Sequence, residues 1–328
     1  MEYLGSPLKI GRMTVNNRIV LPPMATAGSS DDGKVTEQLI RYYLEKADGG
    51  ATGLIITEHA FVSQEGKASD RQLSIADDSA IEGLKALTEA VHVEGSKIAA
   101  QINHAGGNTR RELTGLDPMG PSMQTDFPKI QPEREMTGED IDKVVCDFAE
   151  SAKRAVRAGF DAVEIHSAHG YLLNQFYSPL SNKRSDAYGG PIENRVRLHL
   201  RVIQAVREAV GEIPVFLRLG SIDTVPGGST IKDAVDASVL FEKAGIDLLD
   251  ISGGLTGFIR TDVQGAYFAD VTREIKKHVR IPILLTGGIS SGREAEALLR
   301  EGAADLIGVG RAMLRDSKWS EKALAEKE

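Results

Sequence analysis

The sequence predicts a closed (β/α)8 TIM barrel, and three observations support this fold class. Short apolar segments of β-strand character alternate with longer segments of helical periodicity, as expected of βα units around a parallel sheet. Eight strand segments can be counted, and eight units favour a closed barrel because an open sheet would not need the last two. The length of 328 residues also fits one barrel, which we expect to span 1–328 as a single domain.

The predicted strands are short apolar runs bounded by turn-forming residues. They are Ile19–Leu21, Gly53–Thr57, Lys97–Asn103, Ala162–Ser167, Val215–Leu219, Leu248–Ser252, Ile283–Thr286 and Leu306–Val309. The predicted helices are Glu37–Ala47, Asp78–Glu94, Gly138–Ala158, Asn194–Val210, Lys232–Ala244, Ala269–Lys277 and Gly292–Arg300. In the third of these helices Ile141, Val145, Phe148, Ala152 and Ala155 recur at three- and four-residue steps, so one apolar face should pack on the barrel wall.

The connection from His104 to Thr137 is much longer than the others and contains Gly106-Gly107-Asn108, Arg110-Arg111 and several prolines. In a barrel it would leave the C-terminal end of the sheet, where long loops commonly form lids or binding elements. We therefore predict a lid or substrate-shaping loop at about 104–137. A solvated surface insertion is the alternative.

Composition excludes several classes of function. With 47 acidic and 39 basic side chains the formal charge is −8, which argues against nucleic acid or an anionic membrane as the main partner and favours a small molecule. No apolar run approaches about 18 residues and the first residues lack the features of a signal peptide, so we expect a cytoplasmic protein. The lone Cys146, which we interpret as a structural helix residue, excludes an internal disulfide and a cysteine-ligated iron–sulfur cluster.

The end of the fourth predicted strand is rich in polar side chains. His166 and His169 are three residues apart and Tyr171 follows, a set that could polarise a carbonyl and deliver a proton. The two histidines could equally be metal ligands, although zinc needs further ligands and none is obvious nearby in sequence. They could also be satisfied structural histidines. The spacing alone leaves these three interpretations open.

Phosphate recognition is indicated at the seventh and eighth strand ends. Loops there often bind phosphate through backbone N–H groups, and this chain has Gly287-Gly288 and Gly310-Arg311 at those places. Gly253-Gly254, after the sixth strand, can be explained as a turn. A barrel isomerase or synthase that binds a phosphorylated substrate would fit these loops. No Gly-x-Gly-x-x-Gly motif of the dinucleotide-binding kind is found, so any nicotinamide donor would have to use the same face of the barrel.

Two sequence blocks resemble the Old Yellow Enzyme family of FMN-dependent oxidoreductases. One runs from His166 through Asn174-Gln175-Phe176 to Glu193-Asn194-Arg195, and the other is Asn17-Arg18-Ile19-Val20-Leu21-Pro22-Pro23-Met24. The similarity extends from the first strand to Gly310-Arg311. It implies bound FMN, NADH or NADPH as hydride donor, and reduction of the activated C=C bond of enones, enoates or quinone-like acceptors in a ping-pong cycle.

The resemblance also implies roles for particular residues. His166 and His169 would bind the substrate carbonyl above the flavin, and Tyr171 would be the proton donor. Gln101 matches the glutamine at the flavin pyrimidine edge, and Arg218 matches the arginine beside flavin N1 and O2. The complete set of candidate cofactor-binding residues is Pro22, Pro23, Met24, Ala25, His59, Gln101, Arg218, Gly287, Gly288, Gly310 and Arg311. We predict no metal ligand.

Three positions depart from the family pattern. Relatives usually carry Thr or Cys at the position of Ala25, where the side chain donates to the flavin, and one subgroup has a substrate-binding tyrosine at the position of Ala27. His59 stands where relatives have a small residue whose backbone touches the flavin. Without a donor at Ala25 we expect a low FMN potential, because Thr26 should point to the other side of an extended segment.

The chain ends soon after Arg311 and Trp319, whereas dienoyl-CoA reductases, trimethylamine dehydrogenase-like enzymes and 2-enoate reductases continue into a cysteine cluster and further domains. Two interpretations follow. The chain is either a one-domain ene-reductase, or a barrel subunit or truncated barrel of a larger flavin reductase with little turnover of its own. Family members often form dimers or tetramers, so the resemblance allows a homo-oligomer, but no interface is readable in the sequence.

Overall fold

The computed structural model describes residues 2–326. The strands are β1 Leu8–Ile10, β2 Met13–Val15, β3 Ile19–Leu21, β4 Leu54–Ile56, β5 Ala60–Phe61, β6 Lys97–Asn103, β7 Met119–Gly120, β8 Arg134–Glu135, β9 Ala162–Ser167, β10 Val215–Gly220, β11 Leu248–Ser252, β12 Ile283–Thr286 and β13 Leu306–Gly308. The helices are α1 Glu37–Ala47, α2 Ile81–Val93, α3 Arg111–Thr114, α4 Gly138–Arg157, α5 Leu172–Tyr177, α6 Ile192–Arg195, α7 Arg197–Val210, α8 Ile231–Lys243, α9 Ala269–Ile275, α10 Gly292–Arg300, α11 Arg311–Arg315 and α12 Trp319–Ala325.

The predicted barrel is confirmed. In the described residues the parallel strands β3, β4, β6, β9, β10, β11, β12 and β13 pair in this order, and pairing of β13 with β3 closes the ring. These are the eight predicted strands, and none of their ends differs from the prediction by more than one residue. The register places His166, Arg218 and Asp250 side by side on β9, β10 and β11.

All seven predicted helices are found in the described residues; two of them differ in form, and the ends of the others differ by at most two residues. The helix predicted over 194–210 is divided at Val196 (φ −92°, ψ 2°), where the buried Arg195 donates to the carbonyls of Tyr177 and Gly190 and pairs with Asp233. The helix predicted over 78–94 begins with a 3-10 turn and becomes α-helical at Ile81. Tertiary contacts of Arg195 therefore accompany the first difference, and the second begins at a local cap, where the Asp77 side chain accepts from Ser79 N–H.

Helix α4 illustrates how the helices attach to the barrel. It begins with a capping box, in which the Thr137 hydroxyl accepts from Asp140 N–H and the Asp140 carboxylate accepts from Thr137 N–H. Its buried residues include Ile141, Val144, Phe148, Ala152 and Ala155. Val145, predicted in this stripe, is only partly buried and packs at its edge.

The interior of the barrel is divided into an apolar and a polar part. Fully buried apolar side chains from the strands, among them Phe216, pack together with Ile10, Met13 and Val15 of the antiparallel β1–β2 hairpin, which was not predicted. The hairpin thereby covers one end of the barrel with apolar groups, and the polar side chains of the strands gather toward the other end. Within residues 2–326, no helix has the length and apolar character needed to cross a membrane.

The long connection is held against the segment that follows β9. Gln175 Oε1 accepts from Gly107 N–H (3.0 Å) and its Nε2 donates to the Ala105 carbonyl (2.9 Å). Arg184 Nη1 donates to the carbonyls of Pro121 and Met136 at 3.1 and 2.9 Å. The connection contains α3, β7 and β8, so it is ordered by specific polar contacts along much of its length.

We predict that Phe216→Ala lowers the free energy of unfolding by about 3–5 kcal/mol, because it empties space in the barrel interior that the neighbouring Ala99 and Ala162 cannot fill. Chemical denaturation would measure the change. The exposed Val93, 86% accessible, offers a control, since Val93→Ala should change stability by no more than about 0.5 kcal/mol. A loss below about 1 kcal/mol for Phe216→Ala would show that the interior is less closely packed than described.

Candidate active site

A cavity of about 350 Å³ opens at the C-terminal ends of the barrel strands. Its lining consists of Pro23, Met24, Ala25, His59, Gln101, His166, His169, Tyr171, Arg218, Phe258, Gly287, Gly288, Ile289, Gly308, Gly310 and Arg311. Of the candidates named from the sequence, Pro22 is the one outside this lining. It is buried behind it, next to Gly310. The structure thus brings together residues from every quarter of the chain.

A buried polar network lies beneath the cavity. Arg218 Nε is 3.0 Å from Asp250 Oδ2, and Asp250 Oδ1 accepts from the Thr286 hydroxyl at 2.8 Å. On the next strands Gln101 Nε2 donates to Glu164 Oε2 at 2.7 Å. Asp250 and Glu164 are fully buried and Arg218 is 4% exposed. Asp250, Thr286 and Glu164 were not singled out in the sequence, although Glu164 lies two residues before His166 and so faces the same side of β9.

Burial decides the protonation of this network. Burial, with a further contribution from the charge of Asp250, raises the pKa of Glu164 to about 8. Glu164 therefore keeps its proton at neutral pH. Burial raises the pKa of Asp250 too, but the charge of Arg218 and the Thr286 hydrogen bond oppose this, and Asp250 is the carboxylate that pairs with Arg218. This arrangement avoids two adjacent buried carboxylates, which the single guanidinium could not compensate.

In the described arrangement the contact with Glu164 leaves the oxygen of the Gln101 amide for the cavity. Because the amide nitrogen donates to Glu164, the buried Oε1 is left without a hydrogen-bond partner among the described residues. An orphaned buried acceptor is costly unless a ligand supplies a donor. Gln101 thus presents an acceptor, and Arg218 a cation, to whatever occupies the cavity.

One wall of the cavity is made of aromatic rings. The ring of His166 lies 5.3 Å from that of His169 and 5.1 Å from that of Tyr171, and His59 lies 5.0 Å from Tyr171. His169 has a left-handed backbone (φ 57°), and its Nε2 is 2.8 Å from the Ser252 hydroxyl. Among the described residues, no three His, Cys, Asp or Glu side chains converge as a metal site would require.

The imidazoles of this wall are neutral. Burial, reinforced by the charge of Arg218, lowers the pKa of His59 to about 4 and also holds the pKa of His169 well below its usual value. Burial and the neighbouring His169 and Arg218 do the same for the pKa of His166. Burial raises the pKa of Tyr171. At neutral pH the wall therefore offers uncharged N–H and O–H donors.

The segment after β3 shows why Thr26 does not supply the hydrogen-bond donor that Ala25 lacks. Ala25 lines the cavity, but the Thr26 hydroxyl and the Thr26 N–H both donate to the buried Glu58 carboxylate. Ala27 lies outside the lining and has φ 51°. The hydroxyl of Thr26 is therefore already engaged on the other side of the segment, as the sequence predicted.

Two loops at the remaining side have half-buried glycine backbone suited to a phosphate. Gly287 (φ 122°) and Gly288 (φ 81°) adopt conformations that favour glycine, and a Cβ on Gly288 would collide with the Gly265 carbonyl. Arg311 supplies a guanidinium, which Tyr267 holds through a 3.0 Å hydrogen bond from Nη2 to the phenol oxygen. Gly253 and Gly254 form a turn outside the lining, with Gly254 N–H bonded to the Ile222 carbonyl.

The predicted lid does not reach the cavity in this conformation. No residue of 104–137 belongs to the lining, and the loop after β11 contributes Phe258, 52% exposed, whose ring lies 5.8 Å from that of His169. A lid function for 104–137 stays a prediction. Phe258 and Ser252 are site residues that the sequence did not indicate; Ser252 is the last residue of β11, and Phe258 lies in the loop after it.

The residues present fit FMN. The unpartnered Gln101 Oε1 and the Arg218 guanidinium suit the polar edge of a flavin ring, whose N–H donates and whose carbonyl oxygens accept. The glycine backbone of the last two barrel loops, with Arg311, suits its phosphate.

A model of the NADH:flavin oxidoreductase / NADH oxidase family matches residues 3–328. The chain is 40% identical over 324 residues to the NADH oxidase of Thermoanaerobacter brockii, covering 96% of this chain and 50% of that protein. It is 39% identical over 324 residues to the NADPH dehydrogenase of Geobacillus sp. (strain WCH70), covering 98% and 94% respectively.

The matching solved structures, like these two relatives, include one chain about twice as long as this one and one of similar length. The complex of 2-naphthoyl-CoA reductase with 2-naphthoyl-CoA matches with a TM-score of 0.93 and 27% identity, covering 98% of this chain and 52% of that one. The old yellow enzyme homologue from Zymomonas mobilis matches with a TM-score of 0.85 and 29% identity, covering 98% and 93%. The chain thus spans about half the length of the Thermoanaerobacter NADH oxidase and of the naphthoyl-CoA reductase chain.

We predict that Glu164→Gln removes part of a pH-dependent loss of stability. Since the pKa of Glu164 is raised in the folded state to about 8, the folded chain holds a proton that the unfolded chain releases between about pH 4.5 and 8. Stability therefore falls as pH rises through this window, by up to about 1.4 kcal/mol per pH unit, and levels off above it.

Urea denaturation at intervals from about pH 6 to 8 would measure the free energy of unfolding of both proteins. The variant should show the shallower decline. The exposed Glu82 provides a matched control, because Glu82→Gln should keep the slope of the parent. Equal slopes in parent and Glu164→Gln would mean that Glu164 is ionised in the folded protein.

Proposed function

The chain belongs to the NADH:flavin oxidoreductase / NADH oxidase family, and from that membership we propose that it reduces the activated C=C bond of a small α,β-unsaturated carbonyl compound. The family is one of flavin-dependent oxidoreductases that bind FMN and take hydride from NADH or NADPH. The observation that supports the finer proposal is the wall of neutral donors formed by His166, His169 and Tyr171 in the same cavity as Gln101 and Arg218.

Each of these residues has a distinct part in the proposed reaction. Gln101, Arg218 and the glycine loops with Arg311 would hold FMN, which supplies the hydride to the β-carbon of the acceptor when bound. His166 and His169 donate to the carbonyl oxygen, where negative charge builds up. Tyr171 gives its proton to the α-carbon.

Neutral imidazoles suit this task better than charged ones would. A buried imidazolium beside Arg218 would be an unpaired cation next to a like charge, and burial together with that charge keeps the pKa of each ring low. The neutral ring still carries one N–H donor. One such donor in a dry site is worth roughly 2.7–4 kcal/mol at the upper end, which is enough to orient the acceptor and activate it.

A ping-pong cycle follows from the use of one cavity by both reactants. A nicotinamide ring and an acceptor would each take the space beside the wall of His166, His169 and Tyr171, so one would have to leave before the other binds. Bound FMN would keep the reducing equivalents between the two half-reactions.

A second candidate is a barrel that works within a longer flavin reductase and has little turnover of its own. The observation that favours it is the length of the Thermoanaerobacter NADH oxidase and of the naphthoyl-CoA reductase chain, about half of which this chain covers. Under this proposal FMN and the donor wall are the same, but electrons arrive from another part of the enzyme rather than directly from a nicotinamide.

Anaerobic reduction of the purified protein by NADH and by NADPH, followed by reoxidation with enones, enoates and quinones, separates these candidates. We expect flavin absorbance near ~450 nm that a nicotinamide bleaches and an enone restores. If an artificial reductant bleaches the bound flavin but neither nicotinamide does, the result would favour the second candidate, a barrel of a longer flavin reductase. A colourless protein that binds phosphate esters would instead favour an isomerase or synthase.

We predict that Tyr171→Phe slows reoxidation by an enone by about 10²–10⁴-fold and slows reduction by nicotinamide much less, because only the first half-reaction needs a proton at carbon. Stopped-flow absorbance would measure both. Tyr42→Phe is a matched control, since its hydroxyl lies outside the cavity and has no hydrogen-bond partner among the described residues. Equal slowing of both half-reactions by Tyr171→Phe would assign Tyr171 to packing.

We predict that Ala25→Thr raises the FMN potential by roughly 20–65 mV, if the added hydrogen bond favours the reduced flavin by about 1–3 kcal/mol in a two-electron couple. Dye equilibration under anaerobic conditions would measure it. Ala25→Val has nearly the same shape without a donor and should leave the potential where it is. A shift of equal size in both variants would trace the effect to bulk, and no shift in either would mean that Ala25 does not face the flavin.

A further inference from the structure

The amide of Gln72 has only one orientation that its neighbours allow. Its Oε1 lies 2.6 Å from the Ala68 N–H, which needs an acceptor, and its Nε2 lies 3.1 Å from the His59 carbonyl, which needs a donor. Exchanging the oxygen and the nitrogen would break both contacts. Since Gln72 is only 4% exposed, water cannot readily replace them.

This orientation fixes the tautomer of His59. Gln72 Nε2 is also 2.6 Å from His59 Nδ1, and an amide NH₂ group can only donate. Its two hydrogens therefore go to the His59 carbonyl and to the lone pair of Nδ1. Because burial lowers the pKa of His59 to about 4, the ring is neutral near pH 7, and its single hydrogen must be on Nε2.

The tautomer in turn decides where the Tyr171 hydrogen points. His59 Nε2 lies 3.2 Å from the Tyr171 hydroxyl, and the rings are 5.0 Å apart. With its hydrogen on Nε2, His59 is the donor and the phenol oxygen is the acceptor. The phenol hydrogen cannot point back to His59, and no other group of residues 2–326 accepts it, so it is free to point into the cavity.

We propose that His59 is a positioning residue, locked by Gln72, that directs the Tyr171 proton to the substrate and holds the phenolate that remains. In the transfer the O–H bond of Tyr171 breaks, a C–H bond forms at the α-carbon of the enolate left by hydride addition, and the electron pair stays on the phenol oxygen. Solvent later returns the proton. The inference rests on the proposed function, which supplies the enolate.

The hydrogen bond from His59 should strengthen as the reaction proceeds. Its acceptor is a neutral phenol at the start and an anion at the end, and charge-assisted hydrogen bonds are roughly twice as strong as neutral ones. Burial by itself makes the phenolate of Tyr171 unfavourable, which is why its pKa is raised. The N–H donor of His59 offsets this penalty. Because the hydrogen bond is stronger in the transition state than in the ground state, it accelerates the proton transfer.

Nitrogen-15 NMR of histidine in the FMN-loaded protein tests the tautomer without any turnover. We expect the His59 resonances, assigned by their disappearance in His59→Gln, to show a protonated Nε2 and an unprotonated Nδ1 between about pH 6 and 8, consistent with the low pKa of this ring. Protonation at Nδ1, or a mixture of both tautomers, would overturn the inference, because the phenol would then be free to donate to His59.

Half-reaction kinetics test the consequence. His59→Leu removes the donor, and His59→Gln can place an amide N–H near the position of Nε2. We expect the ratio of the rate of reoxidation by an enone to the rate of reduction by nicotinamide to fall about tenfold in His59→Leu and to recover most of that loss in His59→Gln. Equal ratios in the two variants would show that the donor does not matter and that His59 serves packing.

A double-mutant cycle separates positioning from general damage to the site. In a Tyr171→Phe background the two His59 variants should have the same ratio, because His59 acts only through the phenol. A further tenfold loss for His59→Leu in that background would overturn the inference. If no acceptor reoxidises the parent protein, the proposed function fails, and the tautomer alone then decides whether His59 and Gln72 orient Tyr171.

Discussion

The buried charge of Arg218 is the constraint on which the rest of the site depends. An isolated guanidinium in a barrel interior would cost several kcal/mol, so it needs a carboxylate partner, and Asp250 on the neighbouring strand supplies one at 3.0 Å. One carboxylate is enough, and Glu164 is accordingly protonated. The same positive charge, added to burial, keeps the histidines of the cavity neutral. The protonation states of the buried polar network and of the histidine wall are thus set together.

The parallel register makes this arrangement possible. Because all eight barrel strands of the described chain run in one direction, side chains that are far apart in sequence meet at one end, and His166, Arg218 and Asp250 become neighbours by pairing alone. The β1–β2 hairpin and the buried apolar layer around Phe216 close the other end. Stability and chemistry are therefore located at opposite ends of the same strands, as in barrels generally.

The sequence predicted the barrel well because both of its signals are local. Strands buried on both faces appear as short apolar runs, and helices carry one apolar stripe. The break at Val196 was missed because it depends on where Arg195 finds its partners. The hairpin was missed because its short strands, Leu8–Ile10 and Met13–Val15, each have a polar residue in the middle, unlike the continuous apolar run Ile19–Leu21. Most site residues followed from family resemblance. Gln72 could not, because nothing in its local sequence shows that it would meet His59, thirteen positions away, across an irregular segment.

The distribution of charge around the cavity explains which ligands it can accept. The whole chain has a formal charge of −8, yet the lining found among the described residues contains Arg218 and Arg311 and no Asp or Glu. Of the two carboxyl groups in the network beneath it, Asp250 is paired with Arg218 and Glu164 is protonated. Such a cavity favours groups that are anionic, such as a phosphate, and groups that become so during a reaction, such as the carbonyl oxygen of an acceptor receiving hydride. Neutral donors at the wall add to this preference without introducing a cation that would itself need a partner. The preference for developing negative charge therefore depends on the lack of Asp and Glu in the described lining as much as on Arg218 and Arg311.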